Sequence, residues 1–198
     1  MARLADPELA VRRRREILEA AMGCFRRRGF HQATMQEICA EAGISPGALY
    51  RYFDSKSAII AAIAEDECRA FGDLLARTQR HGGLVDALCL LACNFFRHAA
   101  EDGALIADLF AEAARDAVLS RTLALSDAES VAQAAAAIRA AQARGEVDPS
   151  LDPVEAANTL FATMSGIGLR RAMLRQTNVE ASVAEFRNLA ERYLGRGK

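Results

Sequence analysis

Apolar residues recur along this chain at the three-and-four spacing of a helix, interrupted by glycine, proline and short polar residues. Ile17, Ala21, Cys24 and Phe25 fall at i, i+4, i+7 and i+8, one face of a first helix that Gly29 ends. Asp6-Pro7-Glu8 reads as its start: a capping acceptor, a proline at the first helical position, then an acid near the positive end of the helix dipole. Thr34-Met35-Gln36-Glu37 is a capping box opening a second helix, with Ile38, Cys39 and Ala42 inward and Gly43 as its stop. Ser45-Pro46 opens a third helix at once, anchored by Leu49 and Phe53. Asp54 or Ser55 then caps a long fourth helix carrying Ile59, Ile60, Ile63, Phe71 and Leu75, which ends before Gly82-Gly83.

The rest continues in the same period. One helix runs from about Leu84 to Ala100, with Val85, Leu88, Ala92, Phe95 and Ala99 on one face, and Asp102-Gly103 breaks the chain. A further helix holds Ile106, Leu109 and Phe110. Ser126 and Glu129 read as a capping box for a helix ending at Gly145, and Asp148-Pro149 as a turn. Asp152-Pro153-Val154-Glu155 starts another helix, and Thr177-Asn178-Val179-Glu180 starts the last, which Gly195 ends. No stretch alternates with the period of a strand, and there is no internal repeat. The expected architecture is all-α with roughly nine helices, divided into a helix-turn-helix head over residues 1–56 and a helical body over 57–198.

Two short helices joined by a glycine turn and preceded by a longer one are the layout of a helix-turn-helix, whose second helix enters the major groove. Here that helix is residues 46–53. Gly47 and Ala48 are small enough for close approach to base edges. Tyr50 and Tyr52 are two of only three tyrosines in the chain, and each hydroxyl is able to donate to a phosphate. Arg51 has the fork that matches guanine. Lys56 sits where its ammonium and the amides of the fourth helix are placed to hold one phosphate. A glycine-linked helical pair also occurs as plain packing in all-α proteins, and exposed arginines, including Arg12 to Arg15, also form solvated faces.

Charge supports a polyanion partner at one end. Residues 1–60 hold ten Lys/Arg against seven Asp/Glu, while the remainder holds fifteen against nineteen. The longest uncharged run, Ala156 to Leu169, is 14 residues, short of the roughly 20 a membrane span needs. No secretory signal is evident, so a cytoplasmic protein is expected. Cys24, Cys39, Cys68, Cys89 and Cys93 are scattered and odd in number, unlike a disulfide framework. The sequence offers no phosphate loop, nucleophile elbow or histidine pair for a metal, and His31, His81 and His98 are dispersed, so no enzyme, metal or cofactor is expected.

Residues 14 to 60 resemble the DNA-binding region of the TetR family of repressors. The likeness lies in Arg15, Ile17, Ala20, Ala21 and Phe25, in Gly29-Phe30, and in the run from Thr34 to Ser45. It continues through Gly47-Ala48-Leu49-Tyr50-Arg51-Tyr52-Phe53 and Ser55-Lys56. One departure is acidic: Glu37 and Glu41 lie on the second helix, so contact there rests on Thr34 and Gln36. The resemblance implies that the head, through Thr34, Gln36, Ser45, Pro46, Gly47, Ala48, Tyr50, Arg51, Tyr52 and Lys56, binds double-stranded operator DNA as a homodimer. It also implies that the body dimerises and holds a small-molecule effector that releases the DNA.

Within the body, the helix from Asp152 is apolar on two faces. Val154, Ala157, Phe161 and Met164 form one, and Leu160, Thr163, Ile167 and Leu174 the other, so it needs two packing partners. One is the subunit's own core; the other is expected to be a second copy, meeting Leu160, Gly166, Ile167, Gly168, Phe186 and Tyr193. Phe95, Phe96, His98, Phe110, Phe161 and Met164 are the candidate pocket lining, each also an ordinary core residue. Cys89 and Cys93 stand one turn apart with His98 five residues on, which raises a thiol or metal sensor as the lesser alternative. An enzyme, or a DNA-binding protein that senses nothing, are the other rivals.

Overall fold

A computed structural model describes residues 7–78 and 83–195. It contains helices α1 (Pro7–Arg28), α2 (Met35–Glu41), α3 (Pro46–Leu49), α4 (Lys56–Thr78), α5 (Leu84–Ala113), α6 (Ala117–Ala143), α7 (Pro153–Met173) and α8 (Val179–Leu194), and no strand among the described residues. The all-α architecture is as expected. Asp6, His81 and Gly82, used in the sequence reading, lie outside the described residues.

The short polar residues act as caps. Thr34 and Glu37 form the complete capping box of α2. Ser45 Oγ accepts the Ala48 amide at 3.3 Å, and Ser55, rather than Asp54, takes the Ala58 amide at 3.1 Å at the start of α4. Asp152 accepts the amides of Val154 and Glu155, both at 2.9 Å. The last helix is capped by Asn178, one residue after Thr177, through the Ala181 amide at 2.8 Å. Gly29 and Gly43, with φ of 77° and 63°, end α1 and α2 in the left-handed region that a Cβ disfavours.

Three expectations change. The helices expected on either side of Asp102-Gly103 are one element, α5, with Asp102 at φ −120° and ψ 18° as a kink. Ser126 lies inside a helix rather than at its start. The helix begins at Ala117, where Asp116 Oδ1 accepts the Val118 and Leu119 amides at 2.8 and 3.1 Å. It then runs through residues 117–129, which contain no glycine or proline, so nothing releases Ser126 from helical geometry. The third helix is also shorter than 46–53. Regular α-helix stops at Leu49, and turns closed by Tyr52 N to Leu49 O at 2.8 Å and Phe53 N to Leu49 O at 3.0 Å carry the chain to Phe53.

The chain forms two compact units. The first comprises the residues up to Glu65 together with Asp108–Leu123; the second comprises Asp66–Ala107 and the residues from Ala124 onward. The division falls inside α4, and the first unit includes the end of α5. Ile17, Ala21, Phe25, Ile38, Leu49, Ile59 and Leu119 are fully buried in the first unit, with the Phe25 and Phe30 rings 5.3 Å apart. In the second unit, residues of α4 to α8 share one apolar cluster in which Phe96 meets Phe186 edge-on at 6.4 Å and Phe71 meets Phe161 at 5.6 Å. Among the described residues no helix is long and apolar enough to cross a membrane.

Candidate nucleic-acid interface

The helix-turn-helix is assembled by packing beneath and capping at its ends. α2 rests on α1 and α3, with Ile38, Cys39 and Leu49 buried between them. Burying Ile38 and Leu49 is worth about 2 kcal/mol each, which fixes both helices on α1. That leaves Thr34, Gln36, Ser45, Pro46, Gly47, Tyr50 and Arg51 exposed and Ala48 and Tyr52 half-buried. No side chain lies within 4 Å of a Cβ built on Gly47, so the backbone of α3 is open to close approach.

The acids of α2 are neutralised locally. Arg28 meets Glu37 at 3.1 Å and Arg27 meets Glu41 at 2.7 Å, both from the last turn of α1. Glu37 also accepts the Thr34 amide at 3.0 Å and the Thr34 hydroxyl at 3.1 Å. Those two bonds and the nearby arginines hold its carboxyl below the usual carboxylate range. The second helix therefore presents much less negative charge than its composition suggests. In the arginine run, Arg13 pairs with Glu16 at 2.8 Å and Arg14 stacks over the Phe53 ring at 5.7 Å, while Arg12 and Arg15 are exposed.

Lys56 differs from its expected role. Its ammonium turns inward and donates to the carbonyls of Phe30 and His31 at 2.7 and 2.8 Å, lying 4.8 Å from the centre of the Phe30 ring. Burial pushes this ammonium below the usual lysine range, while Glu112 and Asp108 push it back up. The same turn is held from its other side. The Phe30 amide donates to Asp108 Oδ2 at 2.6 Å, and His31 Nδ1 lies 3.5 Å from Glu112. The sequence reading missed Asp108 and Glu112. Their one signal is two acids a helical turn apart on the segment expected to hold Ile106, Leu109 and Phe110.

Family comparison decides what this head belongs to. Residues 17–63 match the model for bacterial regulatory proteins of the TetR family, and residues 86–196 match the model for the C-terminal region of BetI-type transcriptional repressors. The chain belongs to the TetR family. It is a helix-turn-helix transcriptional regulator, not an enzyme. Among TetR-type relatives, the transcriptional regulator UidR of Escherichia coli K12 is 33% identical over 159 residues, covering 78% of this chain and 79% of UidR. The solved structure of Salmonella enterica GusR superposes with a TM-score of 0.80 at 28% identity, covering 98% of this chain and 99% of GusR. A SmeT–triclosan complex gives a TM-score of 0.70 at 26% identity, covering 91% and 90% of the two chains.

In the body of this TetR-family chain, the expected site residues separate. Phe95, Phe96, Phe161 and Met164 do gather in the apolar cluster of the second unit. His98 is half-buried, and Phe110 is exposed and belongs to the first unit, so it does not join them. A small cavity is lined by Phe96, Gly168, Arg171, Thr177, Val179 and Ser182, among others, with room for about one water molecule. Three of the expected partner contacts are internal instead. Leu160 and Phe186 are buried in the subunit's own core, and Gly168 lies under Phe95, where an added Cβ would come within 2.6 Å of the ring. Ile167 packs partly against that core. Gly166 has nothing within 4 Å of an added Cβ, and Tyr193 reaches Thr159 Oγ1 at 3.4 Å. Glu185, Asn188, Leu189, Arg192 and Tyr193 flank an open groove along α8. Burial pushes the Cys24 and Cys89 thiols above the usual range.

Proposed function

We propose that this regulator is a cytoplasmic repressor that binds a palindromic operator as a homodimer and is released by a small, largely apolar effector. The observation that carries the reading is the outward face of the helix-turn-helix: exposed Tyr50 and Arg51 beside Gly47 and Ala48, on helices pinned from beneath. Arg51 reads a base, and Thr34, Gln36, Ser45, Tyr50 and Tyr52 set the register by phosphate contact. Two-fold symmetry of the dimer gives two half-sites in opposed orientation.

The effector half of the reading is supported by the SmeT–triclosan complex and by the aromatic cluster around Phe71, Phe95, Phe96 and Phe161. A cavity for one water cannot take a ligand that needs about 300 Å³. Binding must therefore open the helices around it, and opening is what couples occupancy to DNA affinity. Selecting duplexes from a random DNA pool with the full chain tests the DNA reading. The expected product is an inverted repeat. Arg51→Ala then costs about 1–3 kcal/mol at one base pair of each half-site and relaxes preference there. Recovery of no shared sequence would defeat the reading.

A further inference from the structure

We infer that Asp108 is a positioning residue for operator recognition: with Lys56 it clamps the turn between α1 and α2, and that clamp sets the angle of the helix-turn-helix. The inference rests on the DNA-binding reading above. The turn leaves α1 through Gly29, whose amide still bonds Phe25 O at 2.8 Å. At Phe30 the helical ladder ends, and its amide turns to Asp108 Oδ2 at 2.6 Å. Phe30 is buried, so water is not a ready substitute, and an amide left there without an acceptor is costly. In the next two peptides, Lys56 donates to the Phe30 and His31 carbonyls at 2.7 and 2.8 Å. A carboxylate from α5 and an ammonium from α4 thus hold three main-chain polar groups of two adjacent residues in one turn.

The local sequence makes this possible. Gly29 sits at a φ of 77°, and a Cβ there would fall 2.9 Å from Asp108 Oδ2. The glycine both turns the chain and leaves the carboxylate room. Glu112, one turn along α5, faces His31 at 3.5 Å and extends the grip by one residue. Ala33 N to Gly29 O at 3.3 Å closes the loop, and Thr34 then caps α2. The path from Asp108 to the exposed face therefore runs from Phe30 to Thr34, with Phe30, His31, Ala33 and Thr34 each held by a partner.

Charge and geometry make opposite forecasts for this residue, which is what makes the inference testable. Removing an acid from a DNA-binding head strengthens attraction to phosphate. Removing a clamp weakens recognition of a particular sequence. The test uses the full chain with a duplex obtained by random-pool selection and a scrambled duplex of equal length, read by fluorescence anisotropy, with a thermal melt of each variant.

Asp108→Ala is expected to lose on the order of tenfold on the selected duplex and to hold or gain affinity on the scrambled one. Asp108→Asn keeps an acceptor oxygen and should bind the selected duplex as well as the parent or better. Asp108→Glu keeps the charge but moves the carboxylate by a methylene, and should lose several-fold on the selected duplex alone. Undiminished or tighter binding of the selected duplex by Asp108→Ala would overturn the inference. So would an equal loss on both duplexes together with a lowered melting temperature, which marks general unfolding. If Asp108→Ala does not fold, the Glu variant decides: Glu weaker than the parent on the selected duplex alone supports the clamp, and Glu equal to the parent overturns it. A parent protein with no sequence preference would remove the DNA-binding reading and this inference with it, an outcome distinct from the others.

Discussion

The Lys56 ammonium has three protons, and two of them point at main-chain carbonyls of Phe30 and His31. A lysine at the foot of a long helix beside a DNA-reading unit looks from the sequence like a phosphate ligand. Its four-carbon stem lets it fold back instead, over the Phe30 ring, where desolvation is partly offset by two carbonyls, a ring face and two nearby acids. The two roles separate in one experiment. Lys56→Met should lower stability by about 1–2 kcal/mol and leave the salt dependence of DNA binding nearly unchanged. A drop in the salt slope of about one phosphate, with an unaltered melting temperature, would return Lys56 to the DNA.

Glu37 is a second case of a charge committed locally. Its folded carboxyl lies below the ordinary value because Thr34 donates to it twice. The stabilisation is therefore present above the unfolded value of about 4.3 and is lost as pH falls through the lower folded value. Melting temperature followed from pH 7 to pH 3 should show a shallower acid decline in Glu37→Gln than in the parent. Parallel curves would mean that the carboxylate contributes nothing to the cap.

At the level of elements, what was legible in the sequence was whatever is encoded within four residues. Thr34, Ser45, Asp152 and the Gly29 and Gly43 stops all act where the local code places them, because a cap needs only its own side chain and the next three amides. What failed needed information from elsewhere. Ser126 carries the same capping pattern but lies in an uninterrupted helix-forming stretch, so propagation overrides it. Asp102-Gly103 bends α5 without breaking it. Gly103 is also where α7 comes close: a Cβ there would overlap that of Ala172. Gly103→Ala should consequently destabilise the fold by about 1–3 kcal/mol despite its better helix propensity, as measured by chemical denaturation. An increase in stability would mean that the two helices separate at little cost. In the candidate site, the outward residues of α3 were legible. The clamp on the turn was not, since Asp108 lies 78 residues from Phe30 and Lys56 lies 25 and 26 residues from the carbonyls it takes.

For the whole molecule, the proposed homodimer turns on which face would meet a second copy. The two-sided apolar pattern of α7 is real, but Leu160 and Gly168 are used within the subunit. Leu189 and Tyr193 flank an open groove on α8, and Gly166 of α7 is exposed. Sedimentation at micromolar concentration should give about twice the 21.4 kDa chain mass. Gly166→Arg, whose Cβ would have nothing within 4 Å, should yield a monomer with an unchanged helical signal by circular dichroism. A Gly166→Arg protein that remained dimeric would move the interface to another face.

The shortness of α3 has a consequence that belongs to information rather than energy. One regular turn ending at Leu49, with Tyr50 and Arg51 just beyond it, brings side chains to roughly four base pairs. A word of that length recurs by chance roughly every 256 base pairs, against the millions of competing sites a genome presents. A single head is thus nearly illiterate on its own: it can say that a stretch of DNA is permissible, but not that it is the right one. Pairing two copies doubles the length of the word and adds a spacing rule, and that turns a local preference into an address.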